Sequence, residues 1–177
     1  DFGVKYSIIR SLESRGCNLY ILPAFSSYEE IMSYNPDGIL LSNGPGNPAD
    51  LLSAKLTIQK LIGKKPILGI CLGHQLLGLA LGGATYKLKF GHHGGNHPVK
   101  DLVTGKCYIT SQNHNYALYP DFSDDIIITH VNVNDGTVEG FRHKYLPLLS
   151  IQYHPEASPG PEDSAYIFDD FISMMES

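Results

Sequence analysis

Between Ile67 and Leu81 the chain passes from an apolar run of strand length, Ile67 to Ile70, into the Leu- and Ala-rich helical segment Leu72 to Leu81, with Cys71 alone between them. A strand that becomes a helix within one residue must turn sharply and hold that residue's side chain up at the strand's end. Gly69 and Gly73 flank the cysteine two residues to either side, so neighbouring backbone can approach without Cβ clashes. The helix N-terminus that follows offers unpaired N–H groups and a positive dipole, which favour a thiolate and can bind a developing oxyanion. The competing reading is a buried structural cysteine, because free Cys is among the most buried residue types.

Similar punctuation recurs through the first half of the chain. Val4, Ile8 and Leu12 mark a helix closed by Gly16, Asn18 to Leu22 reads as a buried strand, and Tyr28 to Tyr34 as a short helix. Gly38 to Leu41 is a further apolar strand, and Leu51, Ala54, Ile58, Leu61 and Ile62 share one helical face. Strands alternating with helices predict an α/β fold: three layers, with a mainly parallel open sheet and helices on both faces. After Gly83 the pattern changes to strands at Thr85–Phe90, Pro98–Val103, Lys106–Ser111, Ile126–Val133, Thr137–Arg142 and Leu148–Tyr153. Thr104-Gly105 and Asn134-Asp135-Gly136 supply turns between them, so a smaller antiparallel region is expected beside the parallel one. A last helix is marked by Ala165, Phe168, Phe171, Ile172 and Met175, with Pro161, Glu162 and Asp163 at its start.

The first helix begins almost at Asp1, whereas a doubly wound sheet supplies a strand before it. The expectation is one domain over residues 1–177 that lacks its first strand and an amino-terminal domain ahead of it. A formal net charge of −5 with no basic stripe argues against a nucleic-acid partner. No apolar run approaches the ~20 residues needed to span a bilayer, so no membrane is expected. Three widely spaced cysteines argue against a disulfide framework and suit a reducing compartment, the cytoplasm or an organellar stroma or matrix. Cys17 and Cys107 lie in apolar strand-like runs and read as core.

A cysteine nucleophile needs a base within reach and a group to orient that base. His154-Pro155-Glu156 ends the strand Leu148–Tyr153, and residues two apart in extended chain face the same side, so His154 and Glu156 can address one site. Pro155 cannot join a ladder, which places the pair at the sheet's edge, where open α/β proteins bind ligands. By itself this pair reads as a loop histidine salted to a glutamate. The loop Asn43-Gly44-Pro45-Gly46-Asn47-Pro48 follows a strand in the same way, and its backbone N–H groups can face a ligand; alone it is an ordinary tight turn. His92, His93 and His97 invite a metal reading, but their spacing is poor for one. A glycine-rich binding or docking loop is the better reading, and no metal site is assigned. Gln112-Asn113-His114-Asn115-Tyr116 reads as a polar recognition cluster at a strand end.

With the cysteine elbow, the Asn-Gly-Pro-Gly loop and His-Pro-Glu in this order, the chain resembles the class I glutamine amidotransferases, and with them a flavodoxin-like sheet is implied. Lys89 to Pro98, Gln112-Asn113-His114 and His154 to Pro161 look in particular like the family of carbamoyl phosphate synthetase small subunits, a similarity that covers essentially the whole chain. Members of that family carry a separate amino-terminal domain. The resemblance implies Cys71 as nucleophile, His154 as acid/base and Glu156 as the group orienting the imidazole. It implies oxyanion donors at the Gly44 and Leu72 N–H groups, and glutamine contacts from Gly46, Gln75 and Asn113, with Asn115 and Tyr116 adjoining. Asn115-Tyr116 stands where many members have Gly-Phe, and Tyr153 where some have a small residue.

The activity that the resemblance implies is that of a glutaminase, which needs no cofactor of its own and passes ammonia to a large ATP-using synthetase subunit. That partner would make carbamoyl phosphate, for pyrimidine and arginine synthesis. No Walker A loop occurs in this sequence, so ATP and metal ions are expected on the partner. Two other readings stand beside this one: the amidotransferase component of anthranilate or GMP synthesis, and a non-catalytic regulatory or docking module.

Overall fold

The computed structural model describes residues 1–157 and 164–177. Its elements are α1 (Tyr6–Glu13), α2 (Tyr28–Ser33), β1 (Ile39–Leu41), α3 (Leu52–Leu61), β2 (Ile67–Ile70), α4 (Leu72–Ala80), β3 (Thr85–Asp101), β4 (Cys107–Leu118), β5 (Ile126–Asn132), β6 (Val138–His143), β7 (Leu148–Ile151) and α5 (Tyr166–Glu176). A short 3₁₀ turn at Pro48–Asp50 leads into α3.

All seven strands form one sheet in the order β1-β2-β7-β6-β5-β3-β4. Two-residue periodicity explains how it is covered on both faces. Leu68, Ile70, Leu149 and Ile151 face one side and pack with Ile8 and Leu12 of α1 and Phe168 and Phe171 of α5. Ile67 and Leu148 face the other, against Ile58 and Leu61 of α3 and Leu72, Leu76 and Leu77 of α4. A buried Leu or Ile of this kind stabilises the fold by about 1.5–3 kcal/mol. This is the expected α/β architecture, three layers with helices on both faces of the parallel strands.

β1, β2 and β7 run parallel. Every other pairing is antiparallel, so the antiparallel region is the larger part of the sheet. The reason is connection length: parallel neighbours need a crossover of a dozen or more residues, and after Gly83 the strands are joined by connections too short for one. Asp101 organises the turn between β3 and β4, its Oδ1 accepting from the N–H groups of Val103 and Thr104. Asp135 organises the turn between β5 and β6 by accepting from the N–H and hydroxyl of Thr137.

Three expectations need correction. Asn18–Leu22 is not a strand of the sheet. A groove of about 630 Å³ runs between that segment and β1, lined by side chains such as Leu19, Ile39, Leu41 and Phe171. Among the described residues no strand lies between them to bond both edges. Second, Thr85–Phe90 and Pro98–Val103 are one strand. The Gly- and His-rich segment between them stays in the ladder, with His92 opposite His114, His93 opposite Asn113 and Gly94 opposite Gln112, its irregularity absorbed by register shifts. It is a bulged strand, and Gln112–Tyr116 lies within β4 instead of at a strand's end. Third, Cys107 is exposed and Cys17 half-buried. Cys107 opens β4 on the solvent-facing side of the alternation, and Cys17 lies beyond the end of α1. The expected helix start at Pro161, Glu162 and Asp163 lies outside the described residues.

Burial of histidines makes the fold sensitive to acid. Burial holds His74 down at about 3, His114 at about 3 and His130 at about 4. Their folded pKa values lie below the ordinary 6.5, so their contribution to stability is present above pH 6.5 and is lost as pH falls toward those values. His92 has the opposite sense: hydrogen bonding to Glu139 raises it to about 9, and its contribution is lost between pH 6.5 and about 9. Below pH 6.5 the three act together while the His92 contribution is already complete, so the urea midpoint should be lower at pH 5 than at pH 7. Equal midpoints would show that these rings are hydrated in solution.

Candidate active site

The C-terminal ends of β1, β2 and β7 converge on a pocket of about 360 Å³ lined by, among others, Gly44, Cys71 and His154. Each residue arrives there for a local reason. Cys71 is the residue between β2 and α4, with φ 54° and ψ −105°, a strained conformation for any side chain bearing a Cβ. Its N–H donates to the Ile151 carbonyl at 2.9 Å, which fixes the turn to the end of β7. The glycines permit the crossing: a Cβ on Gly73 would run into the carbonyl of Leu41, and one on Gly69 would lie 2.7 Å from the Gly73 oxygen. Gly73 N–H donates to the Ser42 carbonyl at 3.1 Å, so the same close approach ties α4 to the end of β1.

Directly after β1, the loop Asn43–Gly46 forms one wall. Gly44 is pressed so closely against the Phe2 carbonyl and the Leu72 side chain that a Cβ there has no room. Asn43 locks the loop to the start of the chain, Oδ1 accepting from Lys5 N–H at 3.0 Å and Nδ2 donating to the Gly3 carbonyl at 3.0 Å.

His154 follows β7 and is joined to β4 by an isolated antiparallel bridge, its N–H donating to the Ser111 carbonyl at 2.9 Å. Its Nδ1 lies 2.7 Å from Glu156 Oε1, which leaves Nε2 as the nitrogen free to exchange a proton. Glu156 is buried, and Lys5 reaches it with Nζ 3.5 Å from Oε1. Burial pushes the Glu156 carboxyl up, but the hydrogen bond and charge of His154, a backbone N–H and Lys5 outweigh it, and the net shift is down. The glutamate is therefore an anion that fixes the ring.

Cys71 behaves differently from the sequence expectation. Burial pushes its thiol up to about 12, against the hydrogen bond from the Leu72 N–H, and the charge of Glu156 adds to the rise. Burial thus opposes the ionisation that the helix N-terminus favours. Its Sγ lies 4.0 Å from the Asn113 carbonyl.

Of the residues named from sequence, Gly44, Gly46, Cys71, Gln75, Asn113, Asn115, Tyr116 and His154 line this pocket. Glu156 stands behind His154, and Leu72 presents only its N–H, its side chain being buried in the core. Gln75 is committed to the wall: Nε2 donates to the Tyr116 carbonyl at 2.7 Å and to Gln152 Oε1 at 2.9 Å. Lining residues to which the sequence assigned no individual role include Gly3, Lys5 and His114. Nothing local marks Lys5, because its partner Glu156 lies at the far end of the chain; His114 was legible only as part of a polar cluster. Among the described residues, those lining the large groove beside β1 include no comparable pairing of cysteine and histidine.

Residues 1–174 match the family described as glutamine amidotransferase class-I. A carbamoyl phosphate synthase small chain from Aquifex aeolicus is 55% identical over 177 residues, covering 99% of this chain and 48% of the relative. Another, from Clostridium perfringens, is 58% identical over 172 residues, covering 97% of this chain and 49% of the relative. The chain thus spans about half the length of these curated relatives. Among solved structures, a GMP synthase subunit from Thermoplasma acidophilum superposes with a TM-score of 0.86 at 27% identity, over 99% of this chain and 91% of that one. The chain belongs to the class I glutamine amidotransferases.

Proposed function

We propose that this amidotransferase domain hydrolyses L-glutamine through a Cys71 thioester and delivers the ammonia to a large, ATP-using subunit that makes carbamoyl phosphate from bicarbonate. The observation that carries the chemistry is the strained Cys71 sharing a pocket with a histidine whose Nδ1 is bound to a buried carboxylate at 2.7 Å. The acceptor is inferred from the relatives, which at 55% and 58% identity are carbamoyl phosphate synthase small chains.

In this mechanism His154 Nε2 takes the Cys71 thiol proton as Sγ attacks the side-chain carboxamide carbon. Transfer in concert with attack suits a thiol that burial holds protonated. The oxyanion accepts from the Gly44 and Leu72 N–H groups. When the C–N bond breaks, the imidazolium gives its proton to the departing nitrogen, which leaves as ammonia. The neutral ring then draws a proton from water as its oxygen attacks the thioester, and the same proton returns to sulfur as glutamate departs. Glu156 holds the ring and stabilises its charged form. These steps balance with protein groups and water alone. ATP and metal ions are assigned to the partner, and the product to pyrimidine and arginine synthesis. Among the described residues no helix is long and apolar enough to cross a membrane.

The similarity to a GMP synthase subunit keeps a second acceptor in view, since the same half-reaction serves other synthetases. The test is glutamate release by the purified protein, followed by addition of a carbamoyl phosphate synthetase large subunit with bicarbonate and ATP. Glutamine-dependent carbamoyl phosphate formation is the expected result. Glutamate release without it, whatever the subunit supplied, would reject this acceptor; no glutamate release at all would reject the glutaminase.

A further inference from the structure

Behind the pocket wall, β4 carries a run of buried polar side chains that the chemistry above does not use. Glu139 on β6 is fully buried, and three nitrogens approach its Oε1: Gln112 Nε2 at 2.9 Å, Asn132 Nδ2 at 3.2 Å and His92 Nδ1 at 3.4 Å. An oxygen so surrounded is an acceptor, so the amide of Gln112 must present its NH₂ end to it. Gln112 Nε2 donates also to Thr110 Oγ1 at 3.1 Å. Clamped in this way, the amide turns Oε1 toward two imidazoles, 3.0 Å from His92 Nδ1 and 2.7 Å from His114 Nε2.

His114 is where the network reaches the pocket. Its other nitrogen, Nδ1, lies 2.8 Å from the Tyr116 carbonyl, the same oxygen that accepts from Gln75 Nε2. Each ring nitrogen therefore faces an oxygen, and one proton on a neutral ring satisfies one of them at a time. With Gln112 Oε1 as acceptor the proton sits on Nε2, so the amide fixes the tautomer and the seat of the His114 ring, which lines the pocket, while the Tyr116 carbonyl takes its hydrogen bond from Gln75. His92, His114 and Glu139 also bring possible metal-ligand atoms within 4.8 Å of one another. Yet Gln112 Oε1 stands at the point on which both rings converge, so the cluster is built around an amide.

We propose that Gln112 is a positioning residue for bound glutamine: clamped by Glu139 and Thr110, its amide holds the His114 ring in place on the pocket wall. This rests on the reading that glutamine occupies that pocket. Gln112 acts through His114 and stands apart from Cys71, His154 and Glu156, so its loss falls on substrate binding more than on turnover.

Steady-state glutaminase kinetics of the purified protein test this with two variants. Gln112→Leu should raise KM for glutamine by about tenfold and leave kcat within about threefold, the scale of a lost buried hydrogen bond. Gln112→Glu places a second carboxyl 2.9 Å from the Glu139 oxygen, so the two must share a proton. Its KM, divided by that of wild type at the same pH, should be near one at about pH 6 and climb by about pH 8.5 as the shared proton is lost. A side chain that merely filled space would give no such pH dependence. A fall in kcat at constant KM, or a KM unchanged in both variants, would overturn the proposal. If Gln112→Leu does not fold, the pH series of Gln112→Glu decides alone. Failure of the wild type to hydrolyse glutamine is a separate outcome that rejects the occupant of the pocket.

Discussion

Cys71→Ser should abolish glutamate release from glutamine, by at least about 10³-fold, with the thermal midpoint shifted by no more than a few degrees. The substitution keeps the shape of the elbow and changes only the acidity and nucleophilicity of one atom. That atom is already poorly placed to ionise, since burial pushes the thiol up to about 12. A hydroxyl there is harder to deprotonate still, and His154 is the only base the proposed mechanism offers it. Loss of activity together with an unchanged midpoint separates chemistry from folding. Residual hydrolysis above about a tenth of wild type would remove Cys71 from the role of nucleophile.

The second large effect is structural. Gly73→Ala should cost about 3 kcal/mol or more, lowering the thermal midpoint by about 10 °C, and should take most of the glutaminase activity with it. The new Cβ meets the Leu41 carbonyl oxygen and carbon, which are backbone and cannot rotate away. Gly73 N–H is bonded to the Ser42 carbonyl at 3.1 Å, so relief requires α4 to move away from β1 as a unit. That motion would carry the Leu72 N–H away from Gly44, which packs against the Leu72 side chain. Thermal unfolding followed by circular dichroism checks the first half and glutamate release the second. A variant that melts within about two degrees of wild type would mean that the elbow is looser than its geometry implies.

Much of this molecule is legible in local sequence because the signals are local. The faces of β2 and β7 are set by alternation, so Leu68 and Ile70 lie opposite Ile67 with no knowledge of what they pack against. Cys71 and the pair His154 and Glu156 are each defined within a few residues, by a glycine-flanked turn and by a strand ending at proline. Where local signals misled, a neighbour was missing or unexpected. Asn18–Leu22 has the composition of a strand, but a strand exists only when its backbone is paired, and a groove stands where that pairing would be. The glycines and histidines around His93 read as a loop because nothing in their own composition announces that β4 runs alongside.

The sequence by itself determined the α/β class, the strand-to-helix elbow and the edge of the sheet at which chemistry gathers. All three follow from the spacing of apolar residues, glycines and prolines over distances of a turn or a strand. Tertiary structure alone decided the charge states. It brought Lys5 to Glu156, sealed Cys71 in surroundings that keep its proton, and set Gln112 between Glu139 and His114. Desolvation and Coulomb interactions depend on distance in space, and residues far apart in the chain acquire that distance only when the chain folds.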